Sequence, residues 1–226
     1  MRYGSLVSLA AALFALAAFK LNAYWLVWPA LSFGLVAFGY FGLGAWMLGK
    51  QRDGTRRVWG YLLAGPFILF MQALRFLLTK ARWREDPWNE VADGIYVGRI
   101  APLDELPRDV ETVIDLTSEL LDDPALRREK HYVCLPTLDG SAPSDADLLA
   151  LLRQRAKWPG KIYVHCAAGH GRSALVAACL VVLGGFADTV EEAMTQMKQR
   201  RPKVHLVPQQ KNAAMRAIDV IRSVSA

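Results

Sequence analysis

The chain has 226 residues, 53% of them hydrophobic, with 27 Lys and Arg against 21 Asp and Glu and a formal net charge of +6. That length accommodates one catalytic core beside a smaller segment, and only three cysteines exclude a small disulfide-framed domain. Residues 1–80 carry eight bases and one acid (+7) and the remainder 19 bases and 20 acids (−1), so the basic excess belongs to the apolar third. No basic-aromatic surface pattern accompanies it, which excludes nucleic acid as a partner.

In chain order, residues 5–19 form an apolar run that Lys20 and Asn22 interrupt. Residues 23–49 are apolar again and contain five glycines. The polar stretch KQRDGTRR (50–57) follows, then a third apolar run, 58–78, broken only by Gln72 and Arg75. About twenty apolar residues span a bilayer, so this region is expected to supply two to three membrane helices. Trp25, Trp28, Trp46, Trp59 and Trp83 lie near the run ends, as interfacial aromatics do. A cleaved signal peptide is the alternative for the first run, but apolar sequence resumes directly after Lys20, which favours a helical hairpin. A soluble core helix is the alternative for 58–78, whose Gly65-Pro66 and Arg75 weaken a simple span. The juxtamembrane bases would bind anionic headgroups, each worth about 1 kcal/mol near the surface. The clusters at 50–57 and 80–84 are both basic. Either 58–78 is re-entrant or interfacial, or one cluster lies outside.

Beyond residue 80, strand patterns at 95–99, 111–116, 131–135 and 161–166 alternate with helical patterns at about 145–157, 173–183, 188–200 and 208–223. That is an α/β layer architecture. The expected domains are therefore a membrane region, 1–80, and a catalytic domain, 81–226. There is no repeat, no low-complexity tract, no metal-ligand spacing and no nucleotide loop, so neither cofactor nor metal is expected.

The chemistry lies in HCAAGHGRS (165–173). A β-prone strand (161–166) runs into this loop, and an apolar helix stopped by Gly184-Gly185 leaves it. The loop therefore opens a helix, and its N–H groups and dipole form an anion site the size of one phosphate. In that setting Cys166 is expected to ionise and to attack phosphorus. Arg172 offers a fork for two phosphate oxygens. Ser173 supports the sulfur as it leaves. Ala167, Ala168, Gly169, His170 and Gly171 line the anion, the two glycines letting the backbone curl, and His165 is expected to orient the loop through hydrogen bonds. Cys134 and Cys179 read as small buried apolar residues, and His131 and His205 as surface or packing residues.

A proton donor for the leaving oxygen is also needed. The strand ending at Leu138 runs into DGSAPS (139–144), a turn-rich loop headed by Asp139, the expected general acid. Asp145 and Asp147 compete, but Ser144 with Asp147 reads as a capping box that opens the next helix.

From about residue 88 to 226 the chain resembles the dual-specificity branch of the protein tyrosine phosphatase superfamily. NEVADGIYVGRIAPLDEL resembles its opening strand pair, TVIDLTSE its next strand and turn, LDGSAPS its general-acid loop, HCAAGHGRS its phosphate loop, and RRPKVHLVPQQ its arginine-proline segment and the helix behind it. The resemblance implies a central twisted sheet flanked by helices and a two-step, metal-free phosphocysteine mechanism. By position, Cys166 would be nucleophile, Arg172 phosphate binder, Asp139 acid then base, and Ser173 the aid to thiolate departure. Gln209 or Gln210 would help place the hydrolytic water. HLVPQQ and the D-x-x-x-P loop are similar to phosphatases acting on phosphatidylglycerophosphate. The loop has no lysine, only Ala167, Ala168 and His170, which argues against a multiply phosphorylated inositol.

The expected function is a membrane-anchored dual-specificity phosphatase acting on phosphotyrosine, phosphoserine or phosphothreonine. The alternatives are a phosphatase of a phospholipid headgroup and a non-catalytic phosphate-binding module. The expected location is a multi-pass membrane protein with the catalytic part in the cytoplasm, where a thiolate stays reduced.

Overall fold

The computed structural model describes residues 2–81 and 85–225. Of the expected basic cluster at 80–84, residues 82–84 lie outside the described residues, Trp83 among them. The chain forms two compact units. The first comprises Met1–Gln51, Thr55–Trp83 and Ser118–Leu121, and the second Arg52–Gly54, Arg84–Thr117 and Asp122–Ala226.

The first unit holds α1 (Arg2–Lys20), α2 (Val27–Phe38) and α3 (Val58–Ala81). Among the described residues three segments, Tyr3–Lys20, Tyr24–Leu43 and Val58–Leu78, are long and apolar enough to cross a membrane. They meet around Phe33, whose ring lies 5.3 Å from those of Phe14 and Phe67 and 5.6 Å from that of Phe70. The second run is not one long helix. After Phe38 it widens into a π turn, Gly39–Leu43, and the chain turns at Gly42 (φ 130°) and Gly44 (φ 75°), left-handed conformations that favour glycine.

Pro66 does not break α3. Proline has no N–H, so the carbonyl four residues earlier loses its helical partner. That carbonyl is Leu62 O, and Trp28 Nε1 donates to it at 2.8 Å. Ser32 Oγ likewise accepts from Phe67 N at 3.2 Å. Trp28, expected as an interfacial anchor, thus bonds within the helix packing.

The second unit is built on a five-stranded sheet: β1 (Trp88–Ala92), β2 (Ile95–Arg99), β3 (Val110–Thr117), β4 (His131–Thr137) and β5 (Lys161–Cys166), in the order β1-β2-β5-β3-β4. β1 is antiparallel to β2, and the other neighbouring pairs are parallel. The helices are α4 (Pro124–Glu129), α5 (Asp145–Arg153), α6 (Arg172–Leu183), α7 (Val190–Arg200) and α8 (Pro208–Ser225). Short α4 was not anticipated from the sequence; Asp123 caps it, accepting from Ala125 N. The helix expected over 145–157 stops at Arg153 and continues as a 3-10 turn, Arg155–Lys157, ahead of Trp158-Pro159. In α6 every residue except Leu183 is buried; it packs on β2 and β5 and is flanked by α7 and α8. The main core lies on this side of the sheet, and a smaller cluster around Tyr96, Val113, Leu126 and Tyr163 lies on the other. Central β5, between β2 and β3, ends at Cys166, and parallel sheets place their ligands at such carboxyl ends.

Candidate active site

The two-residue period of β5 sorts its side chains. Ile162, Val164 and Cys166 belong with the main core, and Tyr163 with the opposite cluster. His165 shares that opposite face, where its register partner on β3 is Asp115. Its Nε2 lies 2.9 Å from Asp122 Oδ2, both side chains being buried. Tyr132 Oη reaches Asp115 Oδ2 at 2.6 Å and Asp122 Oδ2 at 3.0 Å. Burial and these carboxylates drive the Tyr132 phenol far above its ordinary pKa, so it stays a donor. Asp115, Asp122 and His165 bring one ligand atom each within 4.8 Å of one another, a set that could hold a cation. Here Tyr132 already bridges the two carboxylates. Of this buried polar layer behind β5 the sequence marked only His165; Asp115, Asp122 and Tyr132 were not singled out.

The loop after Cys166 is held by its carbonyls. Ala168 O accepts from Arg201 Nη2 at 3.1 Å, Gly169 O from Arg201 Nε at 2.9 Å, and His170 O from His205 N at 3.0 Å. In a trans peptide the next N–H points opposite to the carbonyl. The N–H groups of Gly169, His170 and Gly171 are therefore turned the other way, and Gly169 N lies 3.3 Å from Cys166 Sγ. Gly169 is left-handed (φ 76°), and a Cβ on it would run into the backbone of Gly98 and Arg99. Gly171 is different. Its φ is −110°, which other residues adopt, and a Cβ there would meet the Gln210 amide at 3.5 Å. The curl thus depends on Gly169 alone.

Arg172 is the first residue of α6 and is buried. Its Nη1 donates to Thr137 O at 2.8 Å and Leu116 O at 3.3 Å, and its Nη2 lies 3.1 Å from Asp139 Oδ1. Asp139, at the start of the expected loop, is 44% exposed and can meet an incoming ester. Ser173 Oγ lies 3.5 Å from Cys166 Sγ. Burial favours the neutral thiol, but the Arg172 charge and hydrogen bonds from Ser173 outweigh it. The Cys166 pKa is held below that of an ordinary thiol, with Asp139 opposing.

The structure brings Cys166, Arg172, Asp139 and Ser173 together. It separates the competing acids: Asp145 pairs with Arg216 at 2.8 and 2.9 Å, and Ser144 Oγ caps α5 against Asp147 N at 3.1 Å. Of the two glutamines Gln209 is exposed and Gln210 buried. Gln210 Nε2 donates to Ser141 O at 2.9 Å, joining α8 to the acid loop. Arg201 was visible as the arginine of the arginine-proline segment, but nothing in the sequence marked it as the holder of the phosphate loop. Glu85, which bonds His170, was not singled out at all.

A family profile described as PTP-SAK, a Swiss Army Knife protein, DSP-PTPase phosphatase domain, matches residues 102–225. A protein of Arabidopsis thaliana, phosphatidylglycerophosphate phosphatase PTPMT2, is 29% identical over 181 residues, 72% of this chain and 77% of that protein. The fold is similar to PTPMT1 in complex with PI(5)P (21% identity, 62% of this chain, 100% of that chain, TM-score 0.52). It is also similar to Tk-PTP in the active form (24% identity, 59% of this chain, 97% of that chain, TM-score 0.51).

Proposed function

The chain belongs to the PTP-SAK family of DSP-PTPase phosphatase domains and is a phosphoric monoester hydrolase of the protein tyrosine phosphatase superfamily, and we propose that it works from a membrane anchor through a phosphocysteine. Arg172 and the N–H groups of residues 167–172 bind the phosphate of the substrate. The Cys166 thiolate attacks phosphorus as the ester P–O bond breaks, and Asp139 gives its proton to the departing oxygen. Water then attacks the phosphocysteine and passes a proton to Asp139. The P–S bond breaks, and the Ser173 hydroxyl supports the returning thiolate. Gln210, through Ser141, keeps the acid loop in place. The observation that carries this reading is the placement of the Cys166 sulfur, 3.3 Å from Gly169 N and 3.5 Å from Ser173 Oγ, where the Arg172 charge lowers its pKa.

The substrate proposed is a phospholipid headgroup bearing a phosphate monoester. The apolar helices leave large side chains exposed, among them Leu13, Leu16, Phe41, Leu69 and Phe76, which suits lipid contact. The anchor would bring the cleft to lipid, and the Arabidopsis relative carries the name of a lipid phosphatase. A multi-pass arrangement with a cytoplasmic catalytic domain agrees with three free cysteines and the need for a reduced thiolate.

The test is a substrate panel with the detergent-solubilised chain, comparing phosphatidylglycerophosphate, phosphoinositides and phosphopeptides. The largest kcat/KM is expected for a lipid monophosphate. A preference of tenfold or more for phosphopeptides would instead establish the protein-phosphatase reading.

A further inference from the structure

Glu85 precedes β1 by three residues, yet its carboxylate is bonded to the phosphate loop. Oε1 bonds His170 Nε2 and lies 3.2 Å from Arg201 Nη2, and Oε2 lies 2.8 Å from Lys203 Nζ. Its side chain is 17% exposed. Burial works against its charge, but hydrogen bonds from His170 and Lys203 overcome that, and its pKa stands below the ordinary carboxylate value. One carboxylate thus engages a histidine, an arginine and a lysine on the loop and its flank.

These three partners have unequal commitments. Arg201 is buried and spends its other donors on Ala168 O, Gly169 O, Asp86 O and Asn89 Oδ1. Lys203 is half-exposed and has Glu85 as its carboxylate partner. His170 belongs to the loop itself, two residues before Arg172. Without Glu85, His170 and Lys203 would offer donors to a second anionic group beside the reacting phosphate.

We infer that His170 and Lys203 form a second anion subsite that Glu85 occupies from within the chain, making the active site selective for an isolated phosphate over one with a phosphate on the neighbouring carbon. The inference rests on the phosphatase reading above and narrows its substrate class. A vicinal bisphosphate must displace Glu85 or meet its charge, whereas a lone monoester needs only the cradle and Arg172.

The test compares phosphate release from soluble inositol 4-phosphate and inositol 4,5-bisphosphate by the full chain in detergent. In Glu85→Gln the ratio of kcat/KM for bisphosphate over monophosphate is expected to rise about tenfold, the effect of one charge-assisted hydrogen bond. Adding Lys203→Ala to that variant should return the ratio toward wild type. An unchanged ratio in an active Glu85→Gln enzyme would overturn the inference and leave the phosphatase reading intact. Wild type inactive on any monoester, aryl phosphate included, would overturn both. Inhibition of wild-type aryl phosphate hydrolysis gives a check that needs no variant. The bisphosphate should inhibit no more tightly than the monophosphate, and inhibition tenfold tighter or more would contradict the inference.

Discussion

Arg201 Nε donates to the carbonyl of Gly169 at 2.9 Å across the back of the phosphate loop. With the bond from Nη2 to Ala168 O, this fixes two consecutive peptides and so aims their N–H groups. Arg201→Lys keeps the charge but loses the fork. Vanadate inhibition is expected to weaken at least tenfold, and Arg201→Ala to cost about 3 kcal/mol of stability through a broken buried pair. A vanadate inhibition constant unmoved in Arg201→Lys would mean the loop holds its own shape.

Asp139 meets solvent and Arg172 alike, while Asp145 is spent on Arg216. Asp139→Ala is expected to slow hydrolysis of alkyl phosphates about 100-fold, the usual worth of a general acid. Aryl phosphates with acidic leaving groups should suffer much less in their first step. The check is the slope of log kcat/KM against leaving-group pKa. Equal losses across the series would point to Asp145 or to a structural role.

The phosphate loop was readable because strand, loop and helix are contiguous in residues 161–183, so one stretch of sequence carries all the local signals. The β-prone run 161–166 likewise foretold the strand that ends at Cys166. The side chains that support the loop from other elements were not readable. Glu85, Asp122 and Arg201 reach the loop from distant parts of the chain, and their partners are chosen by packing. The continuity of α3 through Pro66 was hidden for the same reason: its missing donor comes from Trp28 on another helix.

That substitution of partners can be measured. Trp28→Phe removes the donor to Leu62 O and should destabilise the apolar unit in micelles by about 1 kcal/mol. In a Pro66→Ala background residue 66 regains its N–H, and the same change should cost less than half as much. Equal costs in a double-mutant cycle would show that Trp28 contributes through packing alone.

The ionisation of Cys166 has a direct pH signature. Its folded pKa is lowered, so the thiolate persists below the range of a free thiol. Reaction with iodoacetate should reach half its maximal rate below about pH 8.5. Ser173→Ala, which removes a stabilising hydrogen bond, should move the midpoint upward. The linked stability is present above the ordinary thiol pKa and lost as pH falls through the lowered one. Cys179, pushed by burial up to about 12, should stay unlabelled until the chain unfolds.

The central claim is that this sulfur takes the phosphoryl group. Asp139→Ala should form the intermediate from an aryl phosphate faster than water can clear it, since the same residue serves as base in the second step. Acid quench within the first turnover, followed by mass spectrometry of the peptide spanning residues 161–173, should find one phosphoryl mass on Cys166, and none in Cys166→Ser. Aryl phosphate turnover with that peptide unmodified, or persisting in Cys166→Ser, would contradict a phosphocysteine mechanism.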